Sequence, residues 1–158
     1  MPKKSVSVWL KLLDGTNKGK FCLQRRASSS KHFPYVYQAT WAGKVEEGED
    51  PEEALERECG EELGNEFCSN FDFATLNFIG EKNFTEGKNE WVSYNFFGEI
   101  GFDRLRMARI HDEAFPGFTF IGKKDLFYPV SSGKNPKENV VLFNDQYKIL
   151  KRILNGPR

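Results

Sequence analysis

The sequence predicts a mixed α/β or α+β sandwich, with strands on both sides of one central helix and a second helix near the C-terminus. Three observations carry that fold class. Short segments alternate apolar and polar residues, one acid-rich segment in the middle is capped as a helix, and turn residues separate the pieces. At 158 residues the chain is long enough to bury a proper core, and residues 1–158 are expected to form a single domain. Fifteen Phe, five Tyr and three Trp supply ample material for that core.

The elements follow in order. Ser5 to Leu13 alternates as a strand, and Asp14-Gly15 opens a turn. Lys20 to Arg26 reads as the second strand. A polar loop with Ser28 to Ser30 and Pro34 comes next, then an extended segment from Tyr37 to Val45. Asp50 suits a helix N-cap, Pro51 the first helical position and Glu53 the capping-box partner, while Gly64 suits the far end. The spacing therefore predicts a helix over Pro51 to Leu63, with Leu55, Cys59 and Leu63 as its apolar stripe. Phe71 to Asn83 and Glu90 to Ile100 read as strands, with a turn at Thr85 to Lys88. Arg104 to Pro116 is irregular and Phe118 to Ile121 is a short strand. Ser131 to Pro136 is a loop, and Val140 to Leu154 reads as an amphipathic helix.

Charge and cysteine content narrow the function classes. A formal net charge of zero gives no reason to expect a nucleic-acid polymer or a membrane as partner. Three cysteines without a CxxC pair read as free thiols in a reducing cytosol, so the expected location is cytoplasmic. The N-terminus has no signal-like apolar run, and the sequon at Asn83 is expected to be incidental. Two histidines argue against a zinc site, and Gly15 to Phe21 has the wrong spacing for a P-loop.

The zero net charge hides a partition. Residues 43–65 hold ten of the chain's 23 acids, opposed only by Lys44 and Arg57. On the expected helix Glu58, Glu61 and Glu62 fall on an arc roughly 100° wide beside the apolar stripe. Two carboxylates about 5 Å apart repel by roughly 1 kcal/mol even at water's dielectric constant, and more at a partly buried surface. These three also oppose the helix dipole. Arg57 is expected to point away from them and to reach back to Glu49. A charge run is ordinarily a solvated face, but three carboxylates without relief suit a hard divalent cation such as Mg²⁺.

The spacing is more specific than the composition. Gly43, Glu49, Arg57, Glu58, Glu61, Glu62 and Gly64 match all seven fixed non-hydrophobic positions of the Nudix box. At residue frequencies of roughly 5–7% each, a chance match is well below one in a million. The two bulky apolar positions hold Cys59 and Asn65, which are departures. Gly60, at a variable position, costs about 1 kcal/mol relative to Ala in a helix.

The chain thus resembles a Nudix hydrolase over essentially its whole length. The resemblance implies a Nudix-type α/β/α sandwich with a mixed β-sheet and hydrolysis of a diphosphate linked to a group X, using Mg²⁺ or Mn²⁺. It implies Glu58, Glu61 and Glu62 as metal ligands, Gly43 as the point of close backbone approach to metal and phosphates, and Glu49 with Arg57 as the supporting pair. Glu61 and Glu62, with Glu90 and Glu113, are the catalytic candidates. Leu23 to Ala27, Lys31, Pro34 and the segment Asn89-Glu90-Trp91-Val92-Ser93-Tyr94 are similar to the branch related to isopentenyl-diphosphate isomerase. That likeness makes Glu90 a fourth metal ligand. It also makes Glu113 a candidate for water activation.

The isomerase needs a Cys in the strand before the box, where this chain has Gln38-Ala39-Thr40-Trp41-Ala42, so hydrolysis fits better. Arg26 and Lys31 are candidate phosphate contacts. Trp41, Phe33 and Tyr35 are candidates for stacking on substrate, with core packing the equal alternative for Trp41. Downstream, Gly80 and Glu81 stand where the ADP-ribose and dinucleoside-polyphosphate branches carry Pro and Tyr. The expected partner is a small diphosphate; a non-catalytic diphosphate-binding domain is the alternative.

Overall fold

The computed structural model describes residues 2–25, 37–109, 118–122, 128–129, 141–142, 148–149 and 151–153. In chain order these form β1 (Lys3–Leu12), β2 (Phe21–Arg25), β3 (Tyr37–Gln38), β4 (Trp41–Lys44), α1 (Pro51–Leu63), α2 (Asn65–Asn70), β5 (Asn77–Glu86), β6 (Asn89–Ile100), α3 (Phe102–Leu105), β7 (Thr119–Ile121), β8 (Tyr128–Pro129) and β9 (Val141–Leu142). Among the described residues the strands make one mixed sheet in the order β5-β6-β1-β2-β3-β9-β8, with β4 paired to β1 and β7 to β2.

β1 is the spine of that sheet. It runs parallel to β6 from Lys3↔Trp91 to Leu12↔Ile100, and Val6 to Leu10 are buried on both faces. Val6, Val8, Leu10 and Leu12 face a core shared with Leu55, Cys59 and Leu63 of α1 and Phe67 of α2. Trp9 faces the opposite core, with Phe21, Leu23, Tyr37, Ile121 and Ile149. Residues 148–149 and 151–153 are helical, and Ile149 and Ile153 belong to this second core. Helical residues thus cover both faces of the mixed sheet, which is the expected α/β/α sandwich.

Local signals place α1 well. Glu53 N donates to Asp50 Oδ1 at 2.8 Å and Asp50 N donates to Glu53 Oε1 at 3.3 Å, completing the capping box. Gly64 ends the helix at φ 87° and ψ 159°, a region that is essentially glycine's alone. The Arg109 backbone N–H then satisfies the Leu63 carbonyl at 2.8 Å.

Elsewhere the structure corrects the sequence reading. Within the helix expected from Val140 to Leu154, Val141–Leu142 is instead a strand, paired in parallel with β3 and β8, while residues 148–149 and 151–153 are helical as expected. A short apolar run fits either period, and here the sheet edge decides. The expected strand from Phe71 begins only at Asn77, because Asp72 caps a 3-10 turn at Phe73–Thr75. The β5–β6 hairpin turns at Gly87-Lys88 rather than over four residues, and Gly87 takes φ 62°. Tyr37 to Val45 is two strands with different partners, and Phe102–Leu105 is one helical turn at the start of the segment read as irregular. Asn65 opens a second helix, α2, and Phe67 supplies the buried apolar group expected beside it.

Candidate active site

The site forms where the edge of β1 is shared. β2 pairs with β1 at Leu10 and Lys11, whereas β4 pairs with it from Ser5 to Val8, so the sheet forks between Tyr37–Gln38 and Trp41. Thr40 fills the fork. Its hydroxyl accepts from Leu10 N at 3.0 Å and donates to Cys22 O at 2.6 Å, and it is fully buried. Gln24, a buried polar residue between Leu23 and Arg25 of β2, donates from Nε2 to Thr40 O at 2.6 Å and to Glu62 Oε1 at 3.0 Å. The fork therefore holds the helix carboxylate in place.

Glu58 and Glu62 are brought together one turn apart on α1. The charge of Glu58 bears on Glu62 across that turn and disfavours its ionised form. Burial, then the charge of Glu58, pushes Glu62 up to about 8, against the opposing hydrogen bonds from Gln24 and the Ala42 backbone N–H. Burial also raises Glu58, offset by Arg57. Gly43 lies directly beneath: a Cβ there would overlap the Glu58 carboxyl carbon, so only glycine admits this side chain.

Arg57 does not point away from the carboxylates as the helical arc predicts. Nε and Nη2 donate to Glu49 at 2.7 and 3.0 Å, Nη2 also donates to Lys44 O at 2.8 Å, and Nη1 reaches Glu58 Oε1 at 2.9 Å and Glu61 Oε2 at 3.3 Å. Its long stem lets one guanidinium serve the loop and two helix acids together. The Arg57 hydrogen bond holds the Glu49 carboxyl below its ordinary value, and Arg57 stays protonated. Glu61 remains exposed to solvent.

Other sequence candidates lie apart. Glu90 is exposed at the start of β6 and pairs with Thr85 across the hairpin. It shares the parity of Tyr94, Phe96 and Ile100, which pack on the α1 side. Among the described residues no three His, Cys, Asp or Glu side chains stand close enough to enclose an ion. Arg26, Lys31 and Glu113, with Phe33 and Tyr35, lie outside the described residues. The Arg25 guanidinium stacks over Tyr37 at 5.3 Å.

Trp41 is a core residue: it is fully buried, donates from Nε1 to Leu55 O at 2.9 Å and packs edge-on against Phe67, Phe71 and Phe73. The three cysteines are free, and burial pushes Cys22 up to about 12, so its thiol is inert at neutral pH. Sequence reasoning assigned no role to Gln24 or Thr40. For Thr40 the signal available was a polar residue inside the apolar run Ala39 to Ala42; Gln24, followed by Arg25 and Arg26, gave no such signal.

The site fits a hard divalent cation on its own chemistry. Glu58 and Glu62 offer oxygen donors only, and Arg57, the guanidinium that reaches Glu58, is shared with Glu49 and Glu61, which leaves room for a further positive charge. The chain belongs to the NUDIX domain family, which matches residues 1–125.

Solved structures agree on the fold. It is similar to a NUDIX hydrolase from Alicyclobacillus acidocaldarius, with TM-score 0.67 and 15% identity over 100% of this chain and 93% of that one. It is also similar to the MutT protein of Methanosarcina mazei Go1, with TM-score 0.63 and 19% identity over 98% and 94%. A third likeness is to the E. coli dihydroneopterin triphosphate pyrophosphohydrolase, with TM-score 0.54 and 18% identity over 77% and 82%. No curated protein matches the chain by sequence. Family and fold support a pyrophosphohydrolase. No helix among the described residues is long and apolar enough to cross a membrane.

Proposed function

We propose that the chain hydrolyses a nucleoside diphosphate linked to X, or a related organic diphosphate, using Mg²⁺ or Mn²⁺ held by Glu58, Glu61 and Glu62. The observation that supports this most is the placement of Glu58 against Gly43 and of Glu62 one turn on, each held by a hydrogen bond from Arg57 or Gln24. A bound divalent cation would supply charge neutralisation for the phosphates and a more acidic water. The residues themselves do the rest. Gln24 and the Ala42 N–H orient Glu62, and Arg57 orients Glu58 and ties α1 to the loop through Glu49. Gly43 leaves the backbone open for a phosphate to approach beside Glu58. Glu61, exposed beside this pair, exchanges its ion pair with Arg57 for the cation when one binds.

The likeness to the isomerase-related branch favours Glu90 as a fourth carboxylate and Glu113 as a group that activates water. Arg26 and Lys31 are proposed phosphate contacts, and the cytoplasm is the proposed location of this single-domain protein. The absence, among the described residues, of three acids close enough to enclose an ion favours one second reading, a domain that binds a diphosphate without cleaving it.

Purified protein with Mg²⁺ and a panel of diphosphates separates the two. Cleavage that falls by about 10²-fold or more in Glu62→Gln and Glu61→Gln supports hydrolysis. Tight binding with no cleavage of any compound overturns it in favour of the second reading.

A further inference from the structure

Two of the free cysteines meet where α1 packs on α2, and the carboxylate chemistry uses neither. Cys59, at a box position that ordinarily holds a bulky apolar residue, is fully buried between Glu58 and Glu61 in the sequence of α1. Cys68 of α2 is partly exposed and packs against the core cluster that contains Cys59. A helical side chain leans back over the preceding turn, so the Cys59 sulfur lies toward the Glu56 carbonyl. The Cys68 thiol donates to that same carbonyl at 3.8 Å. After burial itself, Cys68 is the largest influence raising the Cys59 thiol, as neighbouring sulfurs require. The junction between the helices is short: Gly64 ends α1, and its carbonyl accepts from Cys68 N at 3.1 Å.

Such a pair supports a balanced oxidation. Cys68, the sulfur open to solvent, meets the oxidant first. A hydroperoxide transfers one oxygen to its thiol, giving a sulfenic acid and the corresponding alcohol or water. The Cys59 thiol then attacks the Cys68 sulfur: the S–S bond forms, the S–O bond breaks, and the hydroxyl leaves with the Cys59 proton as water. The two sulfurs together lose two electrons, and the peroxide gains them. Closure draws the sulfurs from contact at about 3.5–4 Å to about 2.05 Å, a movement on the order of 1.5 Å. Glu58 precedes Cys59 and Glu62 follows it by three positions, so both ride on the turn that moves. Glu58 is fixed against Gly43 and Glu62 by Gln24, and metal–ligand distances hold to about 0.2 Å. The movement therefore exceeds what a bound cation tolerates.

We propose that Cys59 and Cys68 are a peroxide-responsive redox pair, whose disulfide displaces Glu58 and Glu62 and weakens the hold on the divalent cation. The proposal rests on the metal-dependent hydrolase reading above and adds a regulator to that same site. In a reducing compartment such a bond is transient, as redox-sensing disulfides are.

Hydrogen peroxide treatment of the purified protein tests it, followed by removal of the peroxide, peptide mapping and Mn²⁺ titration. The expected product is a Cys59–Cys68 cross-link that dithiothreitol reverses. The oxidised wild type is expected to bind Mn²⁺ about tenfold or more weakly than the reduced protein, and to recover after reduction. Cys68→Ser is expected to bind the ion like the reduced wild type both before and after peroxide. Cys59 and Cys68 left unlinked, or a cross-link that leaves Mn²⁺ affinity unchanged, overturns the proposal while leaving the reduced enzyme's metal binding and cleavage intact. A Cys68→Ser protein that loses affinity on oxidation as the wild type does also overturns it, because the lesion then lies elsewhere. If the reduced wild type neither binds Mn²⁺ nor cleaves any diphosphate, the hydrolase reading itself fails and the switch falls with it.

Discussion

Replacing Glu62 by Gln should change how the stability of the metal-free protein depends on pH. In the folded chain Glu62 is pushed up to about 8 from the ordinary 4.5, chiefly by burial and then by the charge of Glu58. Between those values the folded protein holds a proton that the unfolded chain releases. This contribution to stability is complete below the ordinary value and is lost as pH rises toward 8. One unit of difference corresponds to about 1.4 kcal/mol, so the whole window amounts to an upper bound on the order of 5 kcal/mol. The carboxyls of Glu58 and Glu62 titrate together, which reduces that figure, and on the order of 3 kcal/mol is expected, or roughly 6–12 °C in Tm for a chain of this size.

The amide introduced by Glu62→Gln keeps the shape and the contact with Gln24 but cannot ionise. Thermal melts of both proteins in EDTA across this pH window therefore should diverge, the wild type falling with rising pH and the variant staying comparatively flat. Added Mg²⁺ should restore the wild type selectively at the alkaline end, since the cation binds the ionised pair. Parallel curves for the two proteins in EDTA would refute the claim that Glu62 is a strained, buried carboxyl.

Three further substitutions probe the supports of the site. Gly43→Ala should leave the protein folded, because Glu58 can rotate away from the new methyl, yet lower kcat by about 10²-fold through misplacement of that carboxylate. Unchanged activity by steady-state kinetics would show that Glu58 does not act from beside Gly43. Gly60→Ala should stabilise the protein by about 1 kcal/mol, since its Cβ would meet only Asn65 Oδ1 at 3.6 Å, and chemical denaturation reads the gain. Thr40→Val should cost about 2–4 kcal/mol in the same measurement, because it strands both Leu10 N–H and Cys22 C=O at the fork.

What was legible in the sequence was what is decided locally. The ends of α1 follow from Asp50, Pro51, Glu53 and Gly64, whose side chains or backbone freedom act within a turn of the helix. The stripe of Leu55, Cys59 and Leu63 is buried as its period requires, and Cys59 packs as a small apolar residue. Illegible were the features set by partners far along the chain. Thr40 and Gln24 acquire their roles from a fork between β1, β2 and β4 that no spacing encodes. Val141–Leu142 becomes a strand because Tyr37–Gln38 offers an edge, against an equally good helical pattern. Arg57 was misdirected because the wheel fixes where a side chain leaves the helix, not where its long stem carries the guanidinium. Trp91 and Lys44 belong to separate motifs in sequence and meet only across three strands.

Titration of Mn²⁺, followed by the loss of its free-ion paramagnetic resonance signal, decides whether the Glu58–Glu62 pair holds a metal. At a pH above 8, the wild type is predicted to bind the ion, and Glu58→Gln and Glu62→Gln are each predicted to weaken it about 10–100-fold. Affinity equal to the wild type in both variants would contradict the assignment of this carboxylate pair as the metal platform.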